Sequence, residues 1–165
     1  MASKKQNSPT QHCIVDIIVL LDNVRSLHNV GAIFRTCDGA GVSKIYLCGM
    51  TGTPPRQEIA KTALGAEDLI PWEYKKDSLR LARKLKAQGY EIVALEKTAK
   101  SKLFNRVSYS PKICLIVGHE INGVRKKILE ESDETVHIPM RGEKESLNVA
   151  TAFGIAIYEI TGQLF

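Results

Sequence analysis

The stretch Ile14–Leu21, reading IVDIIVLL, is apolar throughout except at Asp16. Successive side chains of a strand point to opposite faces, so a strand with one wet face alternates apolar and polar residues. This run does not alternate. It therefore predicts a strand covered on both faces, the environment of strands in a parallel sheet, and Asp22 and Asn23 end it. Parallel neighbours need a crossover between them, usually a helix, and the rest of the chain supplies that alternation. Val30, Ile33, Phe34, Cys37 and Ala40 recur at helical spacing between Asn29 and Gly41. KIYLC at Lys44–Cys48 reads as a second strand, followed by a loop rich in Gly, Thr and Pro. Arg56–Ala66 predicts a short helix with a loop after it, and Asp77–Gln88 a charged amphipathic helix stopped by Gly89. Further strands are expected at Tyr90–Glu96, Lys112–Gly118 and Glu134–Pro139, and helices at Val124–Glu131 and Ser146–Leu164. The fold class is α/β, a mostly parallel sheet flanked by helices.

A chain of 165 residues fits one domain, expected over residues 13–165 behind a polar, flexible basic tail at residues 1–12. The longest apolar runs are too short and interrupted to span a bilayer. Two lysines near the N-terminus have no apolar segment after them, which argues against a secretory signal. Cys13, Cys37, Cys48 and Cys114 are scattered, without a paired spacing or a histidine cluster. That pattern predicts reduced thiols in a cytoplasmic protein, and neither a disulfide framework nor a metal site. Lys and Arg number 23 against 18 acidic residues, a formal charge of +5. The excess favours polyanions without identifying one.

The last predicted helix has almost no polar face, since Leu147, Val149, Ala150, Ala152, Phe153, Ile155, Ala156, Ile157 and Ile160 are distributed around it. Such a helix is buried on more than one side. In a chain this small, a second subunit can provide the extra cover, so a homodimer is expected. An aspartate at Phe153 or Ile157 is then expected to break it.

Ligands of open α/β sheets sit beyond the carboxyl ends of the strands. Three segments at such ends hold residues that folding explains least. In the first, Arg35 lies well off the apolar face made by Val30, Phe34 and Cys37, and Asn29 suits a helix N-cap. Taken alone, this segment is better explained by a surface arginine and a cap. In the second, Gly118-His119-Glu120 sets a carboxylate at the end of a buried strand, next to a helix N-terminus. His119 and His137 read as structural or solvated. In the third, Ile138–Ala152, Ser146 can cap the last helix, and Asn148 falls just inside it, where a buried amide needs partners.

Together these segments resemble the SpoU branch of the SPOUT superfamily, the tRNA and rRNA ribose 2′-O-methyltransferases. The resemblance rests on Asn29–Gly31–Arg35–Thr36, on Gly118–Glu120–Gly123–Val124, and on Ile138–Met140 with Ser146–Val149. KTALGAED at Lys61 is a further similar stretch, and the likeness runs from Ile14 to Leu164. It implies a deep trefoil knot at the C-terminal end of the domain and S-adenosyl-L-methionine as cofactor. The cofactor would be held at Leu95, Glu96, Gly118, Ile138, Met140, Ser146, Leu147 and Asn148. The resemblance makes Arg35 the catalytic residue at the target phosphate, with Asn29, Glu120, Ser146 and Asn148 shaping the site. It also implies RNA as substrate, tRNA favoured over rRNA, and pairing of subunits through the knot and last helix.

This chain departs from the family pattern at Ile121, where glycine is common, and in its charged RGEKE loop. Lys4, Lys5, the loop Lys97–Arg106 and Arg125–Lys127 are candidate RNA contacts, or simply solvated surface. Two other functions compete. One is a non-catalytic RNA-binding or ribosome-assembly protein with the same fold. The other is a nucleotide-binding oxidoreductase, disfavoured because GAGVSK at Gly39 lacks the third glycine of a dinucleotide fingerprint.

Overall fold

The computed structural model describes residues 14–165, so the expected tail at residues 1–12, with Lys4 and Lys5, and also Cys13, lie outside the described residues. The elements are β1 (Asp16–Asp22), α1 (Leu27–Ala40), β2 (Lys44–Cys48), α2 (Gln57–Ala63), α3 (Ala66–Leu69) and β3 (Trp72–Lys75). There follow α4 (Ser78–Ala87), β4 (Glu91–Leu95), β5 (Lys102–Leu103), β6 (Lys112–Val117), α5 (Lys126–Glu131), β7 (Glu134–His137) and α6 (Val149–Leu164). The seven strands form one sheet in the order β3-β2-β1-β6-β4-β7-β5, and every pairing is parallel.

β1 shows why its sequence does not alternate. Ile17, Val19 and Leu21 join one core with Phe34 of α1 and Phe153 of α6. Ile18 and Leu20 join another on the opposite face with Leu81 and Leu85 of α4 and Ile128 of α5. Where β1 ends, Asp22 is almost fully buried and carries a compensating set of partners. Arg125 donates to both its carboxylate oxygens, Nε to Oδ2 at 3.0 Å and Nη2 to Oδ1 at 3.1 Å, and Ser78 Oγ donates at 2.6 Å. The pair clamps β1, the start of α4 and the segment before α5. Arg125 thus ties the fold together while about half of its side chain, 53%, stays exposed.

Two strands were missed. In β3, Trp-Glu-Tyr-Lys alternates over only four residues, and β5 is an exposed pair at the sheet edge. The expected Arg56–Ala66 helix is two, because Leu64 (φ 51°) and Gly65 (φ 91°) adopt left-handed backbone between α2 and α3. Helix starts also differ. Ser26, whose Oγ accepts from Asn29 N at 3.3 Å, caps α1, so Asn29 sits in the first turn. Asn148 caps α6 by accepting from Ala150 N and Thr151 N, so it is neither inside the helix nor buried, and Ser146 lies before the cap.

α6 buries Phe153, Ala156, Ile157 and Ile160 within the protein's own core and leaves Ile155 and Tyr158 at 39% and 55% exposure. This corrects the choice of Phe153 and Ile157 as dimer contacts: a charge there would disrupt the subunit itself. The outward residues are Ile155 and Tyr158.

α1 and α2 approach so closely at Gly31 that a Cβ there would stand 2.1 Å from Thr62 Oγ1 and 2.2 Å from Ile59 O. The second neighbour is backbone and has little room to yield. Gly31→Ala is therefore expected to cost about 1–3 kcal/mol of stability by overpacking. Urea unfolding of the variant against the parent measures it, and equal midpoints would refute this account of the contact.

Candidate functional site

Because all pairings are parallel, the carboxyl ends of the strands share one rim of the sheet. The neighbouring strands β6, β4 and β7 open there onto a cavity. Leu95, Glu96, Gly118, Ile138, Met140, Ser146 and Leu147 line it, together with Glu120, Val149 and Ala152. Of the expected cofactor positions, only Asn148 is not in the wall. Gly118 is where the β6 end passes another backbone: a Cβ would stand 2.4 Å from Gly123 C and 2.5 Å from Val124 N. Any side chain there would push the loop off the strand end.

Glu96 secures that loop from below. Its Oε2 accepts from Val124 N at 2.8 Å and its Oε1 from Lys97 N at 3.0 Å. His119 shapes the turn above by accepting at Nδ1 from Ile121 N (3.0 Å) and Asn122 N (3.2 Å), the structural role expected of it. Ile121 is 88% exposed and is not among the residues with positive φ, so its side chain puts no left-handed strain on the loop.

The three singled-out segments are joined through Glu120 and Asn29. The Glu120 carboxylate accepts from Ser26 N at 2.9 Å, Arg25 N at 3.1 Å and Asn29 Nδ2 at 3.3 Å. Asn29 Oδ1 in turn accepts from Asn148 Nδ2 at 3.1 Å. The line Glu120–Asn29–Asn148 thus joins the β6 loop, the first turn of α1 and the cap of α6. Sequence reading set Glu120 beside the helix that follows it. The structure sets it beside the entry to α1, where unpaired N–H groups attract a carboxylate. Burial alone would raise its pKa, but the Ser26 and Arg25 N–H groups and the Asn29 amide outweigh it and hold the carboxyl below its ordinary value.

Arg35 is not in the cavity. It is exposed, on the stripe His28–Ala32–Arg35–Gly39 that helical spacing makes along the outer side of α1. Tyr158 of α6 borders the far end of that stripe, since a Cβ on Gly39 would stand 2.8 Å from its hydroxyl. Ser26 was overlooked, although a serine three residues ahead of Asn29 is an ordinary capping signal. Among the described residues Cys37, Cys48 and Cys114 are buried; burial, then Asp22, pushes the Cys48 thiol up to about 12. These thiols are packing groups and not nucleophiles.

The cavity suits an amphipathic ligand. Leu95, Val117, Ile138 and Leu147 give it apolar walls for a flat ring, while Glu120, Glu145 and Ser146 offer polar ends. Residues 138–148 form neither helix nor strand, so their peptide groups are available to a ligand.

Comparison with known proteins gives a consistent result. A family model described as the SpoU rRNA Methylase family matches residues 16–158. The tRNA (guanosine(18)-2′-O)-methyltransferase of Aquifex aeolicus is 36% identical over 148 residues, covering 90% of this chain and 70% of that relative. The 23S rRNA (guanosine-2′-O-)-methyltransferase RlmB of Xanthomonas axonopodis pv. citri is 33% identical over 147 residues, 89% of this chain and 59% of its own length. The chain therefore spans about three-fifths of that rRNA relative. Among solved structures, the A. aeolicus TrmH/SpoU tRNA modifying enzyme superposes with a TM-score of 0.82 at 34% identity, over 90% of this chain and 75% of that one. An AdoMet-bound rRNA methyltransferase from Sinorhizobium meliloti gives 0.86 at 31%, over 93% and 59%.

The lowered pKa of Glu120 carries a sign. Its contribution to stability is complete above the unfolded value near 4.5 and is lost as pH falls through the lower folded value. Glu120→Gln should therefore be less stable than the parent at pH 7, with the gap closing towards pH 3. Urea midpoints across that range test it; a gap constant with pH would show that ionised Glu120 does not hold the α1 entry.

Proposed function

This chain belongs to the SpoU rRNA Methylase family, and on that premise we propose that it methylates a ribose 2′-hydroxyl of structured RNA using S-adenosyl-L-methionine. The observation that carries the reading is the cavity at the β6-β4-β7 rim, walled by the loops of the second and third motifs and tied to the first by Glu120, Asn29 and Asn148. Both tRNA and rRNA enzymes stand among the relatives, and we favour tRNA as the substrate because the Aquifex aeolicus tRNA enzyme is 36% identical over 90% of this chain.

The cofactor supplies a sulfonium-activated methyl group. For the ribose oxygen to accept that methyl group, the site would have to let the hydroxyl proton leave as the oxygen reacts. This chain's residues would hold the cofactor by the apolar walls at Leu95, Ile138 and Leu147 and by the peptide groups of Gly118, Met140 and Leu147. Ser146 and Asn148 would orient its polar tail and the ribose. Arg35 would bind the target phosphate and stabilise the developing alkoxide, since a guanidinium stays protonated. Proton acceptance then falls to the phosphate or another group.

Arg35 lies outside its own subunit's cavity, on the α1 stripe that ends at Tyr158. That placement fits a homodimer joined through α6, in which Arg35 faces the partner's cavity. The exposed apolar surface of Ile155 and Tyr158 supports the same reading. The three cavity loops and the crossing of α6 back onto α1 are read as the trefoil knot. No helix among the described residues is long and apolar enough to cross a membrane, and we assign the protein to the cytoplasm, where its RNA would be found.

Methyl incorporation from labelled S-adenosyl-L-methionine into bulk tRNA and rRNA tests the activity. Arg35→Ala should lower kcat by about 10²–10³, as loss of a donor to a developing oxyanion does, with unchanged cofactor affinity. Wild-type turnover in this variant would remove Arg35 from catalysis, and no incorporation by the parent would favour a non-catalytic RNA-binding role. Asn148→Ala should weaken cofactor binding and cost about 1 kcal/mol through the lost α6 cap. Calorimetry and unfolding midpoints measure the two effects separately. Tyr158→Asp should yield monomers by light scattering, and a monodisperse dimer would refute pairing through α6.

A further inference from the structure

A second pocket, lined by Met50, Thr51, Arg56, Trp72 and Tyr74, runs from the turn after β2, on the same rim as the cavity, down along the flank of β3 to its first residue. Its makeup is unusual for a surface. Met50 and Tyr74 are 65% and 45% exposed, and Trp72 is only partly buried. Alternation along β3 puts Trp72 and Tyr74 on one face and Glu73 on the other, where Lys44 and Lys75 neutralise it. Arg56 is exposed and is the one charged side chain in the pocket wall. Tyr74 Oη donates to Gly49 O at 2.9 Å, which pins the ring across the β2 turn.

We propose that this pocket is a second RNA subsite that takes an unpaired base flanking the target nucleotide. The inference rests on the reading of the chain as an RNA-modifying enzyme. An aromatic face with a neighbouring guanidinium is what unpaired nucleotides recognise: the base stacks and the cation meets the phosphate. Position agrees. Pocket and cavity are three to four strand spacings apart along the rim, roughly 15–20 Å, within reach of a few nucleotides of extended strand. The exposed Arg25 and His28 lie between them, at the end of β1. A strand bound at both places would pass the exposed Arg25 and meet no acidic side chain in the second pocket's wall.

Trp72 is the only tryptophan in the chain, so its fluorescence reports on this pocket alone. Titration with a single-stranded hexanucleotide RNA, without S-adenosyl-L-methionine, should quench it. Arg56→Ala and Tyr74→Ala should each weaken that binding about tenfold, while Tyr74→Phe, which keeps the ring and loses the hydrogen bond to Gly49, should bind as the parent does. With bulk tRNA or rRNA as substrate, the first two variants should raise KM about tenfold at unchanged kcat and unchanged cofactor affinity. Absence of quenching, or parental RNA affinity in Arg56→Ala and Tyr74→Ala, overturns the proposal. So does a Tyr74→Phe variant as weak as Tyr74→Ala, because the tyrosine would then act through the turn and not through stacking. The two readings fail separately. A parent that quenches with RNA but transfers no methyl leaves the subsite standing and removes the enzyme. A parent that methylates while both variants match it removes only the subsite.

Discussion

The site depends on one carboxylate accepting the peptide N–H groups of Arg25 and Ser26. Glu120 leaves the end of β6 and reaches the entry to α1, a segment more than ninety residues earlier in the chain. Without that anchor the β6 loop, the first turn of α1 and the α6 cap would have no common reference. Such a bond does more for position than for stability. The unpaired donors before a helix are fixed in direction by the helix itself, so a carboxylate accepting two of them has little freedom left. Asn29 then passes the constraint to Asn148 by using both ends of its amide. One charged group so orients two neutral ones across three chain segments.

The platform beneath this network is stiff for a different reason. β1 is buried on both faces and paired on both edges, and its terminal Asp22 is locked by Arg125 and Ser78. Loops that leave such a strand start from a fixed point. Chemistry that needs atoms placed to within fractions of an ångström benefits from this more than from any single contact in the loops.

Fold class was legible in the period and in runs of apolar residues, whereas most of the cavity wall was named only through the family resemblance carried by three short motifs. β1 and β6 were found because burial on both faces leaves a continuous apolar run. β3 escaped because Trp-Glu-Tyr-Lys is too short to establish a period, and β5 because an exposed two-residue edge leaves no apolar trace. Helix starts were misread at Asn29 and Asn148 for a shared reason. A capping residue and a first-turn residue differ by a few backbone angles, which spacing does not encode. Asn148 looked like a buried amide in need of partners, and it is an exposed cap whose partners lie on its own helix and on Asn29. The inward direction of Phe153 and Ile157 was likewise invisible in a helix apolar all round, because which side meets the core depends on the crossing with α1.

The all-parallel sheet has a consequence for how the chain is made. Ile17 in the middle of the sheet pairs with Ile113, nearly a hundred residues later. As synthesis proceeds, β1 can gain β2 early, yet its other edge stays open until β6 leaves the ribosome. Distant pairings of this kind slow folding, because loop entropy is lost before the contact is gained. For most of its synthesis the chain therefore presents its most apolar strand with one edge unsatisfied. The buried centre that makes the finished protein rigid is thus the part of the nascent chain most in need of protection.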